Sequence, residues 1–145
     1  MIKFKIQNLK LKIKKTKNKN LEWEDASDVQ SDIEHILSTL EEEFIHIAKG
    51  RIFCFRTQGS TSRSYARIWA MPKIFQRALN IEAAYVIEVL SKYFDKLDKN
   101  EQKKVLIHEL LHIPKNFSGS LLPHKRGGKR IDKEVERLYK QYKSK

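Results

Sequence analysis

Apolar residues recur at spacings of three and four from Val29 through Ile33, Ile36, Leu37, Leu40 and Phe44 to Ile47, which predicts one long helix over 28–48. Ser27 or Asp28 can cap its start, and Gly50 lies just past its end. The pattern then changes period. "RIFCFRT" (51–57) and "YARIWAMP" (65–72) are short, aromatic and β-prone, and "GSTSRS" (59–64) between them is turn chemistry, so the pair predicts a hairpin. Pro72 can open a short helix over "KIFQRALN". "AAYVIEVL" (83–90) predicts a third strand, with Tyr85, Ile87 and Val89 on one face and Val86, Glu88 and Leu90 on the other.

The sharpest element is "DKNEQKKVLIHELLHIP" (98–114). Asp98 and Glu101 form a capping box, Leu106, Leu110 and Ile113 supply the apolar spacing with Val105 beside them, and Pro114 stops the helix. A loop with Gly119, Pro123, Gly127 and Gly128 follows, and then a helix over about 131–142 with Ile131, Val135, Leu138 and Tyr142 on one face. Strands followed by a long core helix predict an α+β fold, a small mixed β-sheet with helices packed against it. Residues 1–20, "MIKFKIQNLKLKIKKTKNKN", alternate apolar residues with lysine in two triplets of opposite phase. They read as a basic arm or an edge strand, ahead of a single domain over 21–145.

Composition narrows the setting. Thirty Lys and Arg against eighteen Asp and Glu give a net charge of +12, which draws phosphate, anionic lipid or acidic proteins at long range. Nucleic-acid contact through this basic surface is therefore one expectation. A single cysteine, Cys54, forms no internal disulfide and suits a reducing compartment. No apolar run reaches a membrane span, and lysines interrupt every apolar stretch of the N-terminus, so the expected setting is cytoplasmic with no membrane contact.

The candidate chemistry lies in "VLIHELLHIPKNFSGSLLPH" (105–124). His108 and His112 are four apart on the helix, one turn from each other on one face, where both imidazoles can reach one metal ion. Glu109 sits beside them, placed to activate water as a general base. With five His and twelve Glu in the chain, HExxH arises by chance in roughly one such sequence in seventy, so the motif is informative. A catalytic zinc needs a third protein ligand and an open fourth position. His124 is the first candidate, with a turn at Gly119 bringing the chain back, and Asp132 and Glu136 are rivals. His35 and His46 share no ligand spacing with another His or Cys and read as ordinary boundary residues.

HExxH followed by a third histidine is similar to the zincin-type metallopeptidases. More closely, "YARIWAMPKIFQRAL", "AYVIEVLSKYFDKL" and "VLIHELLHIPKNFSGSLLPHKRGGKRID" resemble a family of small archaeal and phage metallopeptidases, over about residues 51–140. The resemblance implies a small zincin-like domain, Zn2+ on His108, His112 and His124, catalytic Glu109, and a peptide or protein substrate. It departs from the metzincin pattern, because His124 comes too late and a Met-turn is absent, with only Met1 and Met71 in the chain. It also implies that a strand beside the active helix pairs with substrate, for which 84–90 is the candidate, with an interior strand as the alternative for that segment. Tyr65, Arg67 and Arg126 are candidates for stabilising an oxyanion, and Glu88 and Asp132 for orienting the histidines. The rival readings are a zinc-dependent nuclease, and a structural zinc module in which Cys54 would complete a closed site.

Overall fold

The computed structural model describes residues 21–124 and 128–145. The expectations for residues 1–20 and for Arg126 lie outside the described residues. Nine elements follow in order: β1 (Glu22–Asp25), α1 (Ser27–Thr39), β2 (Ile52–Gln58), β3 (Ala66–Trp69), α2 (Lys73–Leu79), β4 (Tyr85–Leu90), α3 (Ser91–Phe94), α4 (Lys99–Leu110) and α5 (Lys129–Ser144). The fold is α+β, with a four-stranded mixed sheet in the order β1-β2-β4-β3. β4 runs parallel to β2 and antiparallel to β3, and β1 is antiparallel to β2.

The predicted hairpin of 51–57 with 65–72 does not form, because β4 lies between those strands. The reason is burial. Five of the six residues of β4 are buried, whereas β3 leaves Trp69 exposed and Arg67 and Ile68 half-buried. A strand buried on both faces belongs in the interior, and β3 goes to the edge. The same fact overturns the expectation that 84–90 is a free edge open to substrate, since β4 is paired on both sides. β1 falls on "EWED", which has no strand pattern of its own.

α1 buries Val29, Ile33 and Ile36 against the sheet and ends at Thr39, short of the predicted 48. The chain then descends in turns closed by Glu43 N–H to Leu40 O and Ile47 N–H to Phe44 O, each at 3.0 Å. Three-residue spacing survives in those turns, so Leu40, Phe44 and Ile47 stay buried. Glu41, Glu42 and Glu43 place three negative charges where the helix would end, against the helix dipole. Leu106, Ile107 and Leu110 of α4 and Val135 and Leu138 of α5 join the same core as Ile87 and Val89 of β4.

Cys54 faces this core from β2, and burial, with smaller contributions from Glu34 and Asp28, pushes its thiol up to about 12. It behaves there as a small apolar residue. His35 Nδ1 meets the Tyr142 hydroxyl at 2.6 Å, and His46 Nε2 meets the Ile113 carbonyl at 3.3 Å. Both histidines act as local packing and hydrogen-bonding groups.

The opposite sheet face is organised by Glu88, which is 2% exposed. Its carboxylate accepts from Trp23 Nε1 of β1 at 3.2 Å, from the Thr57 hydroxyl of β2, and from Arg67 Nε and Trp69 Nε1 of β3 at 2.5 and 3.0 Å. One side chain thereby ties all four strands. Burial opposes its charge, but the hydrogen bonds from Arg67, Thr57 and Trp69 outweigh burial and hold the carboxyl down at about 2. Because the folded value lies below the ordinary 4.5, the stabilisation is complete above about pH 4.5 and is lost as pH falls toward about 2. Glu88→Gln should cost roughly 3 kcal/mol at pH 7. Urea unfolding of both proteins between pH 7 and pH 2.5 should show the gap narrowing through that window. A gap independent of pH would exclude the ionised clamp.

Candidate metal centre

The first residues of the site are set by α4. The Asp98 carboxylate accepts the Glu101 N–H at 2.9 Å and starts the helix as its capping spacing predicts. The buried row Leu106, Ile107 and Leu110 fixes the rotation of α4, so that His108 and Glu109 border a cavity of about 530 Å3. The helix ends at Leu110, earlier than predicted. His112 N–H then bonds Glu109 O and Ile113 N–H bonds Leu110 O, each at 3.1 Å, a tightened last turn. His112 lies in that turn, and its Nε2 is 3.3 Å from His108 Nε2.

The loop that follows is held by backbone hydrogen bonds. The Tyr85 hydroxyl, from the central strand, accepts Gly119 N–H at 2.8 Å and donates to Ser120 O at 2.9 Å. Gln76 Nε2 of α2 donates to Met71 O and Ser118 O, both at 2.8 Å. Met71 N–H donates to Gly119 O at 2.7 Å. Gly119 has φ +92°, and a Cβ there would lie 2.2 Å from Met71 O, so the position admits only glycine without a backbone shift.

Past this anchor the chain doubles back along the end of α4. Leu122 N–H donates to His112 O at 2.8 Å, and the Leu122 carbonyl meets His112 Nδ1 at 2.6 Å. A carbonyl can only accept, so His112 Nδ1 carries the proton and its Nε2 presents a lone pair. Two residues later, His124 Nε2 lies 2.9 Å from His108 Nε2 and 3.1 Å from His112 Nε2.

Three ring nitrogens facing one another lack the protons to bond all round, whereas one cation can take a lone pair from each. Nitrogens bound to zinc at 2.0–2.1 Å in a tetrahedron stand about 3.3 Å apart, close to the separations found here. Burial, with the facing His112 and His124 rings next in weight, lowers the pKa of His108, and burial first and His124 second lower that of His112. Both effects favour the neutral imidazole that a metal requires. The donor set therefore fits a metal ion.

Glu109 is buried beside the cluster, and burial alone pushes its carboxyl up to about 7. A cation held by the flanking histidines would pull it back down. The two rival ligands stay outside the three-histidine cluster. Asp132 lines the cavity, and Glu136 does too but pairs with Lys104 at 3.1 Å. Tyr65 also stands on the cavity wall. Arg67 and Glu88 do not, since both belong to the clamp on the far sheet face. Glu88 therefore orients no histidine, and the Leu122 carbonyl does that for His112. The positioning groups Tyr85, Gln76 and Leu122 escaped the sequence reading. Tyr85 looked like one more apolar strand residue, and a backbone carbonyl leaves no mark in sequence.

A family model described as putative phage metallopeptidase matches residues 21–143. No curated protein and no solved structure matches the chain significantly.

Gly119→Ala should release the loop while leaving the core folded. Native-state hydrogen exchange should then speed up at the Leu122 amide by roughly tenfold or more, about 1.4 kcal/mol of lost protection, with the α1 amides unchanged. An unaltered Leu122 amide would mean that the Tyr85 and Gln76 anchor does not hold the return.

Proposed function

We propose, from the premise that this chain belongs to the phage metallopeptidase family, that residues 21–145 are one zincin-like catalytic domain. It hydrolyses peptide bonds with zinc on His108, His112 and His124. The observation that carries the reading is the convergence of three imidazole Nε2 atoms within 2.9–3.3 Å of one another, with Glu109 beside them. Zinc is inferred from the all-nitrogen donor set, and three donors leave a tetrahedral ion its open position. When bound, the ion supplies Lewis acidity, which acidifies water and polarises a carbonyl.

The chain's own residues do the rest. Glu109 takes the proton of the attacking water as general base and returns it to the leaving amine. Its burial excludes bulk water and leaves its oxygens free of competing donors. His112 is held by Leu122 in the tautomer that keeps Nε2 available. Tyr65, on the cavity wall, is the phenol assigned to the developing oxyanion.

A peptide suits this cavity better than a phosphodiester. Among the described residues, Glu101, Asp132 and Glu136 line it along with Glu109, against Lys104, and acidic walls repel a phosphate backbone. A structural zinc module is disfavoured as well, because Cys54 faces the core from β2 and is not among the clustered donors. No helix among the described residues is long and apolar enough to cross a membrane.

The test is metal content and peptide turnover of three purified proteins. The unaltered chain should carry about one zinc, and His124→Ala should lose it or bind it at least tenfold more weakly. Glu109→Gln should keep the metal and lose turnover by about 10²–10⁴. Full zinc in His124→Ala would move the third ligand to Asp132 or Glu136. No metal in any of the three, after zinc is supplied, would refute the peptidase.

A further inference from the structure

Away from the metal centre, both edges of the sheet, β1 and β3, and one of its faces have no strand or helix partner among the described residues. β1 is an edge strand, and its outward N–H and C=O groups are a template for another strand. The face it borders carries Trp23, Phe53, Phe55 and Trp69 around Glu88. Trp23 is 64% exposed, Trp69 51% and Phe53 44%, and Trp23, Phe55, Trp69 and Val86 line one hollow there. A contiguous apolar face of this kind calls for a cover.

β1 itself specifies what kind. Trp23 and Asp25 stand opposite Thr57 and Phe55, on the aromatic face, while Glu22 and Glu24 stand opposite Gln58 and Arg56, on the other. An incoming strand must therefore offer apolar side chains on one side and positive charge on the other. Residues 1–20 carry eight of the chain's thirty cationic side chains and none of its acids. Within them, Leu9, Leu11 and Ile13 alternate with Lys10, Lys12 and Lys14.

We propose that residues 9–14 occupy the free edge of β1 as a fifth, antiparallel strand. The segment precedes β1 directly in the chain, and the seven residues between them, "KTKNKNL" (15–21), form a connection with asparagines suited to a turn. An in-face register sets Leu9, Leu11 and Ile13 beside Trp23 and brings Lys10, Lys12 and Lys14 beside Glu22 and Glu24. Slipping it by one residue would reverse both matches. The acidic edge that welcomes this segment opposes a nucleic-acid strand, the other ligand that exposed aromatics on a sheet could stack.

The experiment is hydrogen exchange on the full, unaltered chain, joined to tryptophan emission, which reports only on this face because Trp23 and Trp69 are the chain's two tryptophans. Amides of 9–14 should exchange at least about tenfold more slowly than those of 16–20 after correction for intrinsic rates. Leu11→Lys should remove that protection and shift the emission to the red, with the amides of α4 unchanged. Exchange of 9–14 at the rate of 16–20 in the unaltered chain would overturn the proposal. So would protection that survives Leu11→Lys with emission unmoved. Quenching of the emission by an oligothymidylate, with 9–14 unprotected, would overturn it too and assign the face to single-stranded nucleic acid.

Discussion

The double hydrogen bond between His112 and Leu122 is the constraint on which the candidate centre depends. An HExxH helix by itself supplies two imidazoles, and the third must come from chain that has left the helix. Here the return is pinned at the point of need. Leu122 N–H binds the His112 carbonyl, and Leu122 O takes the His112 ring proton. The same contact sets the tautomer of one histidine and the position of another two residues away. That economy has a condition, which is that the loop must arrive in register. Tyr85 and Gln76 provide it by bonding to the backbone of 118–120 from the central strand and from α2. The site is built outward from the sheet, and its exposed member, His124, follows a loop anchored on the buried Tyr85.

The two faces of β4 divide the work. Tyr85, Ile87 and Val89 face the helices, with Tyr85 reaching the loop that carries His124. Glu88, between them in sequence, faces the other way and gathers donors from β1, β2 and β3. A buried carboxylate is costly unless its lone pairs are filled, and four donors fill them. The clamp fixes strand positions, and strand positions place Tyr85. Glu88 thus bears on the metal centre through the sheet and touches none of its residues.

The local features were the legible ones. The Asp98 cap, the apolar row of α4, the strand at 85–90 and the final helix follow from spacing and from residues with definite backbone habits. The close approach of His108, His112 and His124 was anticipated from two four-spaced histidines and a glycine turn. What sequence concealed was long-range. Strand order depends on which strand is buried on both faces, and the turn-rich stretch between β2 and β3 imitates a hairpin that burial forbids. β1 exists because Trp23 reaches Glu88, 65 residues away. Its own letters, "EWED", argue against a strand.

The distribution of charge carries the synthesis one step further. A chain of +12 would be expected to present a basic surface to its ligand. Yet the cavity beside the three histidines is walled by Glu101, Glu109, Asp132 and Glu136, with Lys104 tied to two of these carboxylates. Acidic groups near a cation centre strengthen its hold on the ion and disfavour a second, anionic ligand. Eight of the thirty cationic side chains fall instead in residues 1–20, which hold no acid. Net charge therefore describes the chain poorly as a guide to its chemistry. Among the described residues the cavity wall carries more carboxylates than cations, and a ligand reaching the three histidines would meet that wall first.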